Sequence, residues 1–178
     1  MLSVRERNAV LPYLFGTEVD YLIQLGKDLP EYSKVVMLGV GPAMMLLALF
    51  EERETPIHVW AYDIADVASA DAHLAETGKS HWAALTYSDS VTAAQEWEDN
   101  AVDVLLIDAC HTFECVDRDI QAWWPKVKAG GLLFFHDYVP QPHDNYINGV
   151  RAAIEKHRMD DWLEIARPGI SIVFRKTR

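Results

Sequence analysis

A chain of 178 residues is long enough for one domain with a substantial core and too short for two ordinary ones. Its composition, 50% hydrophobic and 24% charged, is globular and excludes a disordered or fibrous chain. The net charge of -11, with no Lys/Arg run to offset it, argues against nucleic acid as a partner and fits a neutral or cationic small molecule.

The opening residues Met1-Leu2-Ser3-Val4-Arg5-Glu6-Arg7 carry charge where a secretion signal would be apolar. A reducing cytoplasm is therefore the expected setting, and no disulfide is expected between Cys110 and Cys115. No apolar run reaches the ~20 residues that span a bilayer, so no membrane is expected as a partner.

In chain order, Leu11, Leu14, Val19, Leu22 and Ile23 recur at helical spacing, so residues 1–32 read as an N-terminal helical segment closed by Pro30. Residues 33–178 then alternate short runs of β-formers with amphipathic stretches. Strands are predicted at Val35 to Leu38, Ile57 to Tyr62, Trp82 to Thr86, Val102 to Ile107 and Leu132 to Phe135. Between them lie helices from about Ala43 to Glu52, Ala65 to Glu76 and Val91 to Glu98. A further helix carries Phe113, Val116, Ile120, Trp123 and Val127 on one face, with Gly130-Gly131 as its stop. One member of the Trp123-Trp124 pair continues that apolar stripe and is assigned to the core. After a Pro-containing loop holding His143, a helix is predicted around Tyr146 to His157. Trp162 to Ala166 and Ile170 to Arg175 flank Arg167-Pro168-Gly169 as a hairpin. This order predicts a single α/β domain over 1–178, with a mostly parallel sheet, helices on both faces and an antiparallel strand at the C-terminal end.

In such sheets ligands bind beyond the carboxyl ends of the strands, and the polar or glycine-rich features fall at those ends: Gly39/Gly41, Asp63, Asp89/Ser90, Asp108/His111 and His136/Asp137. Glycines after the first strand let a ligand approach the backbone, or simply make a tight turn. Asp63 suits a pair of ribose hydroxyls, or caps the next helix. Asp108 and Asp137, with His136 and His111 nearby, could hold a divalent cation and acidify a hydroxyl. Alternatively Asp108 or Thr112 caps the helix that starts near Phe113.

Ile107-Asp108-Ala109-Cys110-His111-Thr112-Phe113-Glu114, Asp117-Arg118-Asp119-Ile120, Trp123-Trp124-Pro125, Gly130-Gly131, His136-Asp137-Tyr138 and Gly149-Val150 resemble one branch of the class I S-adenosylmethionine-dependent methyltransferases. In that branch the fourth strand ends in Asp-x-x-His-Thr-(Tyr/Phe)-Glu and the fifth in His-Asp-Tyr. The resemblance runs over roughly residues 33 to 175. It implies a Rossmann-like, doubly wound, seven-stranded sheet whose last strand is antiparallel, with S-adenosylmethionine as cofactor. Gly39 and Gly41 would lie under the methionine part, Asp63 at the ribose, and Asp89 or Ser90 near the adenine. Asp108 would border the cofactor and, with His136 and Asp137, ligate a divalent cation, either magnesium or a transition metal. His111 would be the general base.

The resemblance also has departures. Met37 stands where the first motif is usually acidic, Ala43 where it has a third glycine, and Met44 where a small hydroxyl residue is common. These changes are expected to remove a polar contact and narrow the methionine end. The implied activity is metal-assisted O-methylation of a small hydroxylated molecule. The competing expectations are a degenerate, non-catalytic nucleoside-binding or interaction protein of the same fold, and a nicotinamide-dependent dehydrogenase. Little of the chain is left to cover the site, which suggests a homo-oligomer in which a neighbour completes the pocket.

Overall fold

The computed structural model describes residues 2–10, 13–65, 67–139, 148–158 and 160–178. Among them, β1 (Lys34–Leu38), β2 (His58–Asp63), β3 (Ala83–Tyr87), β4 (Val102–Ile107), β5 (Val127–Phe135), β6 (Trp162–Ala166) and β7 (Ile172–Lys176) form one sheet in the order β3-β2-β1-β4-β5-β7-β6. β1 to β5 run parallel, while β7 pairs antiparallel with both β5 and β6. This is the expected Rossmann-like, doubly wound sheet with an antiparallel C-terminal strand.

Successive strand residues point to opposite faces, and the two hydrophobic clusters follow that period. Val35, Met37, Val59, Ala61, Val104, Leu106 and Phe134 pack under α1 (Val4–Val10), α2 (Gly16–Asp28), α3 (Met44–Phe50) and α4 (Ala68–Ala75). Val36, Leu38, Tyr62, Leu105, Ile107, Leu133 and Phe135 pack under α5 (Ser90–Ala94), α6 (Phe113–Trp123) and α7 (Asn148–His157). Every residue of α3 is buried, and α2 crosses it so closely that a Cβ on Gly26 would lie 2.1 Å from the Leu49 carbonyl oxygen. Among the described residues no helix is long and apolar enough to cross a membrane.

Two local expectations change. The amphipathic stripe of α6 was expected to run through Val127 and stop at Gly130-Gly131. The helix instead ends at Trp123, Trp124–Lys126 forms a single 3-10 turn, and Val127 begins β5. Pro125 is the physical reason, since it offers no N–H to continue the helix. The glycine pair lies inside β5, where Gly130 has φ 82° and the β4/β5 register shifts, so it serves a bulge. Trp123 is buried in the core as expected, and Trp124 stacks on Trp162 with ring centroids 4.6 Å apart.

The second correction concerns the cysteines. Cys110 and Cys115 are joined as a disulfide with Cα atoms 5.8 Å apart, within the usual bridging range. Thr112 caps α6 by accepting the Cys115 amide at 3.4 Å, and this turn brings Cys115 back over Cys110. The turn at Thr112 thus pairs two cysteines that the sequence reading left unpaired.

Candidate functional site

The strand order reverses between β1 and β4, and the carboxyl ends meet there in register. The Asp108 amide donates to the Leu38 carbonyl at 2.8 Å, Gly39 to Tyr62 at 2.9 Å, Ser88 to Asp63 at 2.9 Å and His136 to Ile107 at 3.0 Å. These bonds extend the ladder one step beyond the strand ends and tie neighbouring rim loops together. A Cβ on Gly39, at φ 78°, would sit 2.1 Å from the Asp108 carbonyl oxygen, so only glycine permits the approach of the two loops.

Two cavities open on this rim. The first, about 430 Å³, is walled by Tyr13, Leu14, Phe15, Met37, Met44 and Ile170, with Asp108, His111, His136 and Asp137 as its polar floor. Asn8 holds the wall in place: its side chain donates to the Leu14 carbonyl at 2.6 Å and accepts the Tyr13 and Leu14 amides at 3.1 and 3.0 Å. The second, about 400 Å³, runs from Gly39 and Gly41 past Asp63 to Ser88, Asp89, Ser90 and Asp119. Both volumes are of small-ligand size. Gly41 and Asp108 line both cavities.

Asp63 spans the second cavity's glycine loop. One carboxylate oxygen accepts the Val40 and Gly41 amides at 2.7 and 3.4 Å, and the other accepts the Ala65 amide at 2.8 Å. Asp63 therefore fastens the loop while bordering the cavity, and it is not the cap of α4. Asp89 does act as a cap, accepting the Thr92 amide at 3.0 Å at the start of α5. Ser90 donates to buried Asp119 on α6.

On the floor of the first cavity, four side chains from the ends of β4 and β5 converge. His136 Nδ1 lies 3.1 Å from Asp108 Oδ1 and 3.0 Å from Asp137 Oδ2. His111 Nε2 lies 3.6 Å from Asp108 Oδ1 and 3.2 Å from Asp137 Oδ2. Strict strand alternation would separate His136 from Asp137, but β5 ends at Phe135 and Asp137 turns back with φ 55°. A non-glycine residue in this conformation stores strain of the kind found at functional sites. Gly149, at the start of α7, packs so tightly on the loop that its Cβ would lie 2.5 Å from the His111 carbonyl oxygen.

The charges are coupled. Burial opposes ionisation of Asp108, yet bonds with His111 and His136 hold its carboxyl below the usual range. His111 is raised, first by its bond with Asp108, against burial and with help from Asp137. For His136 burial favours the neutral ring, but Asp108, Asp137 and Glu18 together outweigh it and push the imidazole up to about 12. The ligand atoms of Asp108, His111 and Asp137 lie within 4.8 Å of one another, a grouping able to hold a metal ion.

The structure thus gathers all the expected rim residues around two adjoining cavities. Met37 and Met44 line the first cavity beside Val40 and Gly41, Met37 because it points to the α2–α3 face of the sheet. Ala43, in place of the third glycine, adopts the glycine-like φ of 63°. His143 lies outside the described residues.

Two side chains were not singled out from the sequence. Glu18, fully buried on α2, accepts the Phe15 amide at 2.7 Å, bonds the Ser171 hydroxyl and lies 3.6 Å from His136 Nε2. Its only sequence signal is a carboxylate beside Val19 and Leu22 on an apolar helix face. Asp119 is 3% exposed and lines the second cavity; burial pushes its carboxyl up to about 6, against the Ser90 bond.

An open α/β sheet with small-ligand cavities at its switch point defines a Rossmann-like α/β protein with a polar, titratable rim. Residues 36–138, more than half of the chain, match a family described as a methyltransferase domain, and the chain belongs to that family. The nicotinamide-dehydrogenase expectation is thereby set aside. Similar solved structures include a Corynebacterium glutamicum protein (15% identity, TM-score 0.74, covering 98% of this chain and 88% of that one). A SAM-dependent O-methyltransferase of Thermotoga maritima is similar at 15% identity and TM-score 0.70, over 99% of this chain and 72% of that one. An SAH-bound methyltransferase of Podospora anserina is similar at 14% identity and TM-score 0.68, over 90% and 78%. No curated protein matches the sequence. At these identities the structural neighbours establish the fold alone.

Proposed function

We propose that the chain transfers the methyl group of S-adenosylmethionine to the oxygen of a small hydroxylated acceptor. The observation that carries this reading is the meeting of two differently built cavities at Gly41 and Asp108. The glycine-floored cavity with Asp63 suits a nucleoside, with Gly39 and Gly41 under the methionine part, Asp63 at the ribose and Ser90 at the base. The apolar cavity suits the acceptor. No lysine or arginine lines it among the described residues, and Tyr13, Phe15, Met37 and Met44 favour a compact, largely apolar body with its hydroxyl on the polar floor. The SAM-dependent and SAH-bound neighbours support the choice of cofactor.

The donor chemistry of the floor fits a divalent cation. Asp108 and Asp137 each offer a carboxylate oxygen 3.0–3.1 Å from His136 Nδ1, and two oxygens with that nitrogen, once it has shed its proton, form a set that favours a transition ion over magnesium. Such an ion, when bound, supplies Lewis-acid acidification of the acceptor hydroxyl. His111, more open to the cavity than His136, takes the hydroxyl proton, and Asp108 and Asp137 stabilise the imidazolium that results. The walls contribute by excluding water and aligning oxygen, methyl carbon and sulfur in line.

The test pairs calorimetric binding of S-adenosylhomocysteine, with and without manganese, with methyl-transfer assays on a panel of hydroxylated acceptors. His111→Ala and Asp108→Asn are each expected to lose at least about a hundredfold in turnover, the usual scale of general-base and electrostatic contributions, with cofactor binding nearly intact. Unchanged turnover in both variants overturns the mechanism. Tight cofactor binding without turnover on any acceptor supports the non-catalytic reading instead.

A further inference from the structure

We propose that Glu18 is a positioning residue for the floor of the acceptor cavity. It fixes the His136 ring with Nε2–H turned to α2, and so keeps Nδ1 turned to Asp108 and Asp137 as a cation ligand. The inference rests on the metal-assisted reading above and names the residue behind its ligands. A carboxylate on an apolar helix face is costly to bury unless its oxygens meet donors. Glu18 is 0% exposed, beside buried Val19 and Leu22. One of its oxygens accepts the Phe15 amide at 2.7 Å, which caps the start of α2, a task that does not require burial. The other accepts the Ser171 hydroxyl and faces His136 Nε2 at 3.6 Å. Gly169 closes a third side: at φ 55°, a Cβ there would lie 2.8 Å from Glu18 Cδ, so the hairpin turn meets the carboxylate directly. Held by the Phe15 amide, Ser171 and Gly169, the carboxylate has no room to swing away from the ring.

The ring it faces has the complementary need. His136 Nε2 is buried and makes no hydrogen bond among the described residues, a rare condition that calls for a reason. Glu18 is the one carboxylate within ion-pair distance of that nitrogen among the described residues. On the opposite edge of the ring, Nδ1 lies 3.1 Å from Asp108 and 3.0 Å from Asp137. The imidazole therefore bridges α2 to the two acidic ligands. A histidine whose one ring N–H is directed at a carboxylate has its tautomer and orientation set, and its other nitrogen offers a lone pair to a metal. The same carboxylate that fastens Phe15 in the cavity wall thus orients His136 in the floor.

The test compares the wild type with Glu18→Gln and Ser171→Ala. E18Q keeps the shape of the side chain and an oxygen for the Phe15 amide, so its NH2 turns toward Nε2. The ring then accepts at Nε2 and carries its proton on Nδ1, where a cation needs a lone pair. Manganese affinity, measured by calorimetry, is expected to fall about 10–100-fold in E18Q, the scale of losing such a partner. S171A removes a bond to the same oxygen but leaves the carboxylate facing His136, so it is expected to keep near wild-type affinity even where its Tm falls. Proton–nitrogen NMR of the histidine rings, without cation, gives a second readout, with His136 assigned by its loss in His136→Gln. A solvent-protected Nε2–H is expected in the wild type and S171A and is absent in E18Q. Wild-type affinity in E18Q, equal losses in E18Q and S171A, or an unchanged Nε2–H in E18Q overturns the assignment and leaves Glu18 as the cap of α2. Should E18Q fail to fold, the other spectra decide: a wild type without a protected Nε2–H overturns the proposal, and one that keeps it in S171A supports it. A wild type that takes up no manganese refutes the metal-assisted reading itself. The ring signal alone then decides the role of Glu18, its loss in E18Q supporting the assignment and its persistence overturning it.

Discussion

Alanine at Gly39 and at Gly41 separates the two jobs of the glycine loop. Both residues have positive φ, 78° and 48°, so an alanine at either costs about 1–2 kcal/mol of backbone strain. At Gly41 the new methyl meets nothing within 4 Å. At Gly39 it would lie 2.1 Å from the Asp108 carbonyl oxygen, 2.5 Å from the Asp108 carbonyl carbon and 2.6 Å from the Ala109 Cα. These are backbone atoms, held by the 2.8 Å bond from the Asp108 amide to Leu38, and cannot rotate away. Overpacking of this kind adds about 1–3 kcal/mol, giving a total of about 2–5 kcal/mol. For a chain of this size each kcal/mol lowers Tm by about 2–4 °C, so Gly39→Ala is expected to melt roughly 4–20 °C below wild type and Gly41→Ala roughly 2–8 °C below. Binding of S-adenosylhomocysteine should separate them in a second way. G41A keeps most of its stability but places a methyl in the space shared by the two cavities and loses affinity, whereas G39A loses both. Scanning calorimetry and a binding titration measure the pair. Equal melting of the two variants would refute the claim that Gly39 exists for the approach of β1 to β4.

Three further outcomes follow from the charged floor and the cysteine bridge. His136 is held at about 12 when folded against an ordinary 6.5, so its contribution to stability is complete below about pH 6.5 and fades as pH climbs toward 12. His136→Gln is accordingly expected to melt lower than wild type at pH 6–7 and to show a flatter Tm profile from pH 7 to 10; parallel profiles would contradict the assigned pairing. Manganese uptake, followed by calorimetry, is expected to tighten as pH rises from 6 to 8.5, because raised His111 and His136 must shed protons to admit a cation. In the same titration Asp108→Asn should lose the ion while His111→Ala retains it; equal loss would make His111 a ligand rather than the base. Thiol titration of the unfolded, unreduced protein is expected to find no free thiol at Cys110 or Cys115. Reduction of so short a loop should cost about 2 kcal/mol, read as a fall in Tm, and two titratable thiols before reduction would remove the bridge.

The strands were legible because short unbroken runs of Val, Ile, Leu and Phe, too short for helices, mark parallel strands buried on both faces, and their polar ends marked the rim. The end of α6 was misread because Val127 happens to extend the helical stripe, although Pro125 forbids the continuation. The Gly130-Gly131 pair looks the same in a bulge as in a helix stop. Glu18 reaches the site only because α2 packs across the rim beside His136, a placement that no local pattern encodes. Asp119 acquires its meaning from Ser90, which lies 29 positions earlier in the chain. Met37 was read by its place in a motif, whereas the alternation of β1 decides which cavity it faces.

The most direct measurement is a crystal structure grown with S-adenosylhomocysteine and manganese, with anomalous scattering used to locate the ion. The account predicts the nucleoside lying between Gly39 and Ser90 with its ribose at Asp63. It also predicts the ion bound by Asp108, Asp137 and His136, with His111 outside the ion's ligands and facing the acceptor cavity. A nucleoside bound elsewhere, or an ion peak away from the ends of β4 and β5, would contradict it.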